Sequence, residues 1–179
     1  VDVGEVRLGI RPRLRGLVHQ LGFRNSVHAE AILLITRSPD PYKYHMAPRL
    51  YALTCGWLTG PMEGFIAGES GRLRVPVPAF LIDHPKGKVL FDAGLHPDVA
   101  RDPAARLGFA AKIFDSHFGA GDDAASRLAA IGVDAGDIRF LVLSHLHFDH
   151  AGGVAAIPNA RLVVQEREWA AGRDAGRAG

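Results

Sequence analysis

The chain has 179 residues, 47% of them hydrophobic and 22% charged, with a formal net charge of +2. That length and balance predict one soluble domain with a buried core, and so small a charge gives no basis for a nucleic-acid or anionic-membrane partner. Cys55 is the only cysteine, which excludes an intrachain disulfide and fits a reducing compartment, so a cytoplasmic protein is expected.

Residues 1–45 show no clear period and no motif, and Pro12, Pro39 and Pro41 interrupt them. Arg11, Arg13 and Arg15 read as a solvated face rather than a phosphate site. The apolar run Ala31–Ile35 is too short to span a bilayer and is followed by no small-residue cleavage site. These residues are expected to be an extension ahead of a native start at Met46, dispensable for the fold, with a genuine N-terminal arm as the alternative.

From residue 49 the pattern turns to β structure. Leu50–Thr54 is a predicted strand. Leu73–Ile82 is another, which Pro76 and Pro78 push toward a sheet edge. Residues 83–87 form a turn cluster and Lys88–Phe91 the returning strand. Residues 96–131 read as helix, with Pro97 at a first helical position, Asp122 or Asp123 capping Ala124–Ile131, and Gly132 just past the end. Phe140–Leu143 is short and wholly apolar, which predicts a strand buried on both faces. Ala151–Ile157 is a short predicted helix stopped by Pro158, and Arg161–Gln165 a final strand. Strand, helix, strand in that order implies a parallel crossover. The domain is expected to span 46–172, with 173–179 a poorly ordered tail that lacks any apolar period.

The most informative stretch follows the apolar strand: Ser144-His145-Leu146-His147-Phe148-Asp149-His150. Three of the nine histidines and one carboxylate fall within 145–150. Imidazoles and carboxylates are good ligands for zinc and similar divalent ions. On an extended segment His145 and His147 point the same way, so they can reach one ion together. If the chain then turns, Asp149 and His150 can face a second ion, about 3.5–4 Å from the first in two-metal sites. The cluster also sits at the carboxyl end of a strand, where ligand chemistry gathers in open α/β sheets. His84, His96 and His117 are scattered and read as ordinary surface or core histidines.

Residues 140–153 resemble the signature of the metallo-β-lactamase-fold hydrolases, and among these most resemble the N-acyl-homoserine lactonases. The likeness extends to Val75–Asp83 and Gly87–Gly94, similar to the family's opening hairpin, and to Leu162–Trp169 after the metal loop. The resemblance implies an α/β fold of the αββα sandwich type, of which this chain carries only the N-terminal half. It implies two zinc ions per complete site, with His145 and His147 on the first and Asp149 and His150 on the second. A bridging hydroxide would open the lactone ring of a small acyl lactone, and Asp149 would move the proton to the leaving alkoxide. Asp92 reads from the residues alone equally as a turn residue; the resemblance places it beneath the metals, orienting a ligand histidine. Phe148 reads as acyl-pocket wall or as loop packing, and Tyr51, Trp57, Met62, Phe65 and Ile66 are further candidates for apolar wall.

The chain departs from the family pattern in one respect. Residues 151–179 contain no histidine and a single aspartate, Asp174, whereas a catalytic zinc takes three protein ligands. An N-terminal fragment of a longer hydrolase is therefore expected. The alternatives are a glyoxalase II-type thioesterase, a β-lactamase, or a catalytically silent metal-binding fragment. The diiron flavoprotein branch carries Glu where His147 stands, which disfavours a redox role.

Overall fold

Two long strands organise the molecule, and a computed structural model describes residues 32–34 and 48–175. Strands β2 (Arg49–Pro61) and β3 (Arg72–His84) pair antiparallel from Arg49 opposite Asp83 to Pro61 opposite Arg72. A two-residue turn at Pro85-Lys86 returns the chain into β4 (Gly87–Phe91). With β1 (Ile32–Leu34), β5 (Asp115–His117), β6 (Ile138–Leu143) and β7 (Arg161–Val164) they form one seven-stranded sheet of order β1-β2-β3-β4-β6-β7, and β5 pairs on β2. β4, β6 and β7 run parallel, as the strand–helix–strand order requires.

The prolines of β3 are accommodated by what lies beside them. β4 pairs only with Phe80–His84, so the half of β3 holding Pro76 and Pro78 has β2 alone as its strand neighbour. A residue with no N–H to donate is tolerated there. The expected edge is therefore half a strand; the other half is internal. Opposite the prolines β2 shifts register between Thr54 and Trp57. Gly56 takes φ +85 in this bulge, and a Cβ on it would meet Phe118 at 2.8 Å.

Residues 96–131 do not form the expected continuous helix. They break into 3-10 turns at Pro97–Ala100 and Gly108–Lys112, helix α1 (Pro103–Leu107), strand β5, and helix α2 (Ala124–Ala130). The breaks have local causes. Asp102 Oδ1 caps α1 at Ala105 N (2.9 Å), and Gly108 at φ +54 stops it. Asp123, not Asp122, caps α2 through Ser126 N at 2.9 Å, while Asp122 pairs with Arg127. Gly132 at φ +77 ends α2 as expected.

The helical side of the sheet is the core. Leu81, Leu90 and Leu141 are neighbours across β3, β4 and β6, and all are buried together with Val99, Leu107 and Leu128. β6 is not buried on both faces as expected. Ile138, Leu141 and Leu143 are buried, whereas Phe140 and Val142 are half-buried, because the described elements cover only one face.

Cys55 lies in this core, fully buried, and burial pushes its thiol from 9.0 up to about 12. A raised folded value means this contribution to stability is complete below pH 9.0 and is lost as pH rises toward about 12. Native protein at pH 8 should therefore react with a thiol-specific disulfide reagent only as fast as the core opens, and immediately in denaturant. Rapid stoichiometric labelling of the native chain would contradict this burial.

Three boundaries differ from the sequence reading. Within 1–45, Ile32–Leu34 pairs with Ala52–Leu50, so that stretch does contribute an edge strand; Arg11, Arg13, Arg15 and Met46 lie outside the described residues. Ala151–Ile157 is not one helix but the end of helix α3 (Phe148–Ala151) and a 3-10 turn at Val154–Ala156. Helix α4 (Glu166–Ala175) runs through 173–175, part of the expected tail, and 176–179 lie outside the described residues. α4 is held by tertiary contacts: Glu168 Oε1 accepts from Leu146 N at 3.2 Å, and a Cβ on Gly172 would meet Leu146 at 2.5 Å. Among the described residues no helix is long and apolar enough to cross a membrane.

Candidate metal centre

The histidine cluster is built where two adjacent parallel strands end. β4 and β6 are neighbours, so the segment after β4, Asp92-Ala93-Gly94, meets the segment after β6, residues 144–153. Backbone bonds stitch them together: Asp92 N donates to Val142 O (2.8 Å), Ala93 N to His150 O (2.8 Å) and Gly153 N to Gly94 O (3.0 Å). The approach is close enough to demand glycine. A Cβ on Gly153 would collide with Ala93 O, and one on Gly152 would reach His96 N at 2.7 Å. Gly94, at φ +67, rests on Cys55, where an added Cβ would meet the Cys55 Cβ at 2.8 Å.

Asp92 is the buried polar residue of this junction, 3% exposed, and adopts a left-handed backbone at φ 61. That conformation costs an ordinary L-residue about 1–2 kcal/mol. It lets Asp92 act both as a turn residue and as an acceptor. Oδ1 accepts from Ser144 N (2.8 Å), and Oδ2 accepts from Ser144 Oγ (2.8 Å) and His150 Nδ1 (2.8 Å). Burial raises its pKa, but the bonds from His150 and Ser144 outweigh that and hold it below the usual carboxylate range.

All of the expected donors gather here. The His145 ring lies 4.5 Å from that of His147 and 4.1 Å from that of His150, centroid to centroid. His147 is exposed at the N-terminus of α3, which turns Asp149 and His150 back toward the strand ends. His150 Nε2 lies 3.4 Å from Asp149 Oδ2. The bonds to Asp149 and Asp92 push the His150 pKa up to about 9. Burial, then the charges of His150 and His147, push His145 down. Asp149 is raised by burial but brought net below its ordinary value by His150. His84 and His96 accept from nearby backbone N–H groups and His117 bonds Thr59, so each has a local structural role.

The donor set fits a borderline divalent ion such as zinc. The Nδ1 atoms of His145 and His150 are both engaged, by Ser144 Oγ at 3.0 Å and by Asp92 at 2.8 Å. Among the described residues, however, no three His, Cys, Asp or Glu side chains are arranged to hold one ion. The loop supplies donors without enclosing a centre.

Two features of the site were missed in the sequence. Ser144 was passed over because a lone serine carries no spacing signal, although its place directly before His145 is one. Phe114 lay in the stretch read as helix. It stands between Phe65 (5.9 Å, edge-on) and Phe148 (6.1 Å), so Phe148 both packs on the core and joins an aromatic row. Ile66 is 50% exposed; Trp57 lies on the sheet surface under the guanidinium of Arg74, 4.9 Å from the ring centre.

Residues 72–178 match the family described as the Metallo-beta-lactamase superfamily. The chain belongs to that superfamily. The α/β architecture is that of the superfamily, and the family implies a divalent metal. It is 35% identical over 123 residues to the N-acyl homoserine lactonase AttM of Azorhizobium caulinodans, covering 68% of this chain and 47% of the relative. Over 103 residues it is 36% identical to the N-acyl homoserine lactonase AiiB of Agrobacterium fabrum, covering 57% of this chain and 37% of that one. A solved N-acyl homoserine lactone hydrolase, with N-hexanoyl-L-homoserine bound at its catalytic metal centre, superposes with a TM-score of 0.60 at 26% identity, covering 68% of this chain and 50% of that one. The chain thus spans about half the length of the curated relatives it matches.

Proposed function

We propose that the chain carries the first metal-binding loop of a hydrolase that opens N-acyl homoserine lactones. The observation that carries this reading is the gathering of three imidazoles and Asp149 over Asp92 at the ends of β4 and β6. The likeness to lactonases supports a small acyl lactone as the substrate. In this reading His145 and His147 hold one zinc, Asp149 and His150 the second, and Asp92 orients His150. Zinc, when bound, lowers the pKa of water toward about 7 and polarises an ester carbonyl, which is what lactone hydrolysis needs at neutral pH. Asp149 is held below its ordinary carboxylate value and so is ionised at neutral pH, which would let it take a proton from an attacking water and deliver it to the leaving alkoxide oxygen. The row Phe65, Phe114 and Phe148 offers an apolar wall for the acyl chain.

A catalytic zinc takes three protein ligands, and His145 and His147 are two. The 179-residue chain, loaded with zinc, is therefore expected to be silent. A chimera in which residues 48–175 replace the matched half of the Azorhizobium lactonase should open C6 and longer acyl-homoserine lactones, read as proton release. Robust turnover by the chain alone would contradict a shell that is incomplete among the described residues. Turnover of thioesters or β-lactams but not lactones by the folded chimera would place the chain in another branch of the superfamily.

A further inference from the structure

We propose that Ser144 is a positioning residue that fixes which ring nitrogen of His145 carries the proton, leaving Nε2 open to a metal. The proposal rests on the metal-site reading of residues 145–150.

The argument is a count of donors and acceptors around one oxygen. Ser144 Oγ lies 3.0 Å and 2.8 Å from the two carboxylate oxygens of Asp92. It also lies 3.0 Å from His145 Nδ1 and 3.3 Å from His150 Nδ1. A hydroxyl has one proton to give and two lone pairs to receive with. Asp92 already accepts from Ser144 N and His150 Nδ1, the behaviour of a carboxylate, so it has no proton to offer Ser144. The hydroxyl proton therefore goes to Asp92, and only lone pairs remain to face His145. A bare Nδ1 would set one lone pair against another. The contact is attractive only if Nδ1 carries the proton of the neutral ring, which places the free lone pair on Nε2.

Ser144 cannot turn away from this task easily. Its backbone N–H is bonded to Asp92 Oδ1 at 2.8 Å, which fixes the residue against the carboxylate. His150 reaches Asp92 directly at 2.8 Å, whereas His145 reaches it only through the hydroxyl. One buried carboxylate thus orients two histidines by two routes, and removal of the hydroxyl cuts one route only. Ser144 is itself exposed, so its replacement leaves no cavity and leaves the backbone bond to Asp92 in place.

The test uses the metal-free 179-residue chain labelled with ¹⁵N-histidine, in which two-bond proton–nitrogen correlations report the tautomer of each ring. The wild-type chain should show His145 with its proton on Nδ1. Ser144→Ala should convert His145 to a mixture of both neutral forms, and Ser144→Thr, which keeps a hydroxyl, should restore the single form. Zinc affinity, measured by competition with a chromophoric chelator, should weaken about 10-fold in Ser144→Ala and recover in Ser144→Thr. A wild-type His145 protonated on Nε2, a Ser144→Ala spectrum unchanged from wild type, or a Ser144→Thr chain behaving like the alanine variant would each overturn the proposal. If the tautomer follows the expected pattern but the wild-type chain takes up no zinc, the positioning role stands and the metal-site reading fails.

Discussion

In the lactone-opening chimera, Asp149→Ala should lower turnover by more than about 100-fold, the loss that a misplacement of only 1 Å can cause. Three roles meet in this carboxylate. In the proposed reading it is a donor toward the second ion and it takes and returns the proton, and it lies 3.4 Å from His150 Nε2, where it helps set that ring. The alanine variant removes all three at once. Phe148→Ala, one residue away, removes aromatic contact with Phe114 and part of the apolar wall. Its loss should fall mainly on KM and grow with acyl-chain length, because only binding along the chain is touched. The comparison is made by measuring kcat and KM for C6 and longer lactones in both variants at saturating zinc. Equal losses in kcat for the two would remove Asp149 from the chemistry and leave it a packing residue of the loop.

Much of this site was legible because its signals are local. The spacing of His145, His147, Asp149 and His150 needs no partner to be recognised, and the apolar run before it marks the end of a strand. The turn between β3 and β4 was equally plain, since Pro85 and Gly87 mark it in sequence, although it occupies only Pro85-Lys86 and the strands take the rest of residues 83–87. Asp92 was half legible. Its turn chemistry could be read from Asp92-Ala93-Gly94, but its bond to His150 spans 58 positions and exists only because β4 and β6 are neighbours. The same reason hid Ser144, whose meaning lies in a carboxylate 52 positions earlier.

The misreadings share a cause as well. Residues 96–131 have helix-forming composition, yet Pro103, Gly108 and the pairing of Asp115–His117 with Trp57–Thr59 divide them, and tertiary pairing overrides propensity. α4 continued into an apparently featureless tail because Glu168 and Gly172 dock on Leu146, a contact between elements rather than within one. β1 carries a short apolar run with no clear period around it, and the edge of β2 gives it a place.

Gly153→Ala should destabilise the chain by about 2–4 kcal/mol, combining overpacking of roughly 1–3 kcal/mol with backbone bonds worth about 1 kcal/mol each. Gly153 has an ordinary backbone, φ -83 and ψ 4, so conformational freedom is not why glycine stands there. The reason is space. A Cβ at this position meets Ala93 O, with Ala93 C at 3.1 Å and Leu95 O at 3.3 Å behind it. All three are backbone atoms, and no rotamer change can move them aside. The segment 92–95 would have to retreat from 150–153, stretching the bonds Ala93 N to His150 O and Gly153 N to Gly94 O. That retreat also draws His150 away from Asp92, so zinc affinity should fall together with stability. Gly64→Ala is the matched control, because a Cβ there meets nothing within 4 Å. It should be neutral, or stabilise by about 0.4–1 kcal/mol through the unfolded chain. Urea denaturation of both variants, with zinc affinity measured on the same samples, separates the two cases. If Gly153→Ala unfolds at the wild-type midpoint and binds zinc as wild type does, the two strand-end segments are not clamped by this contact.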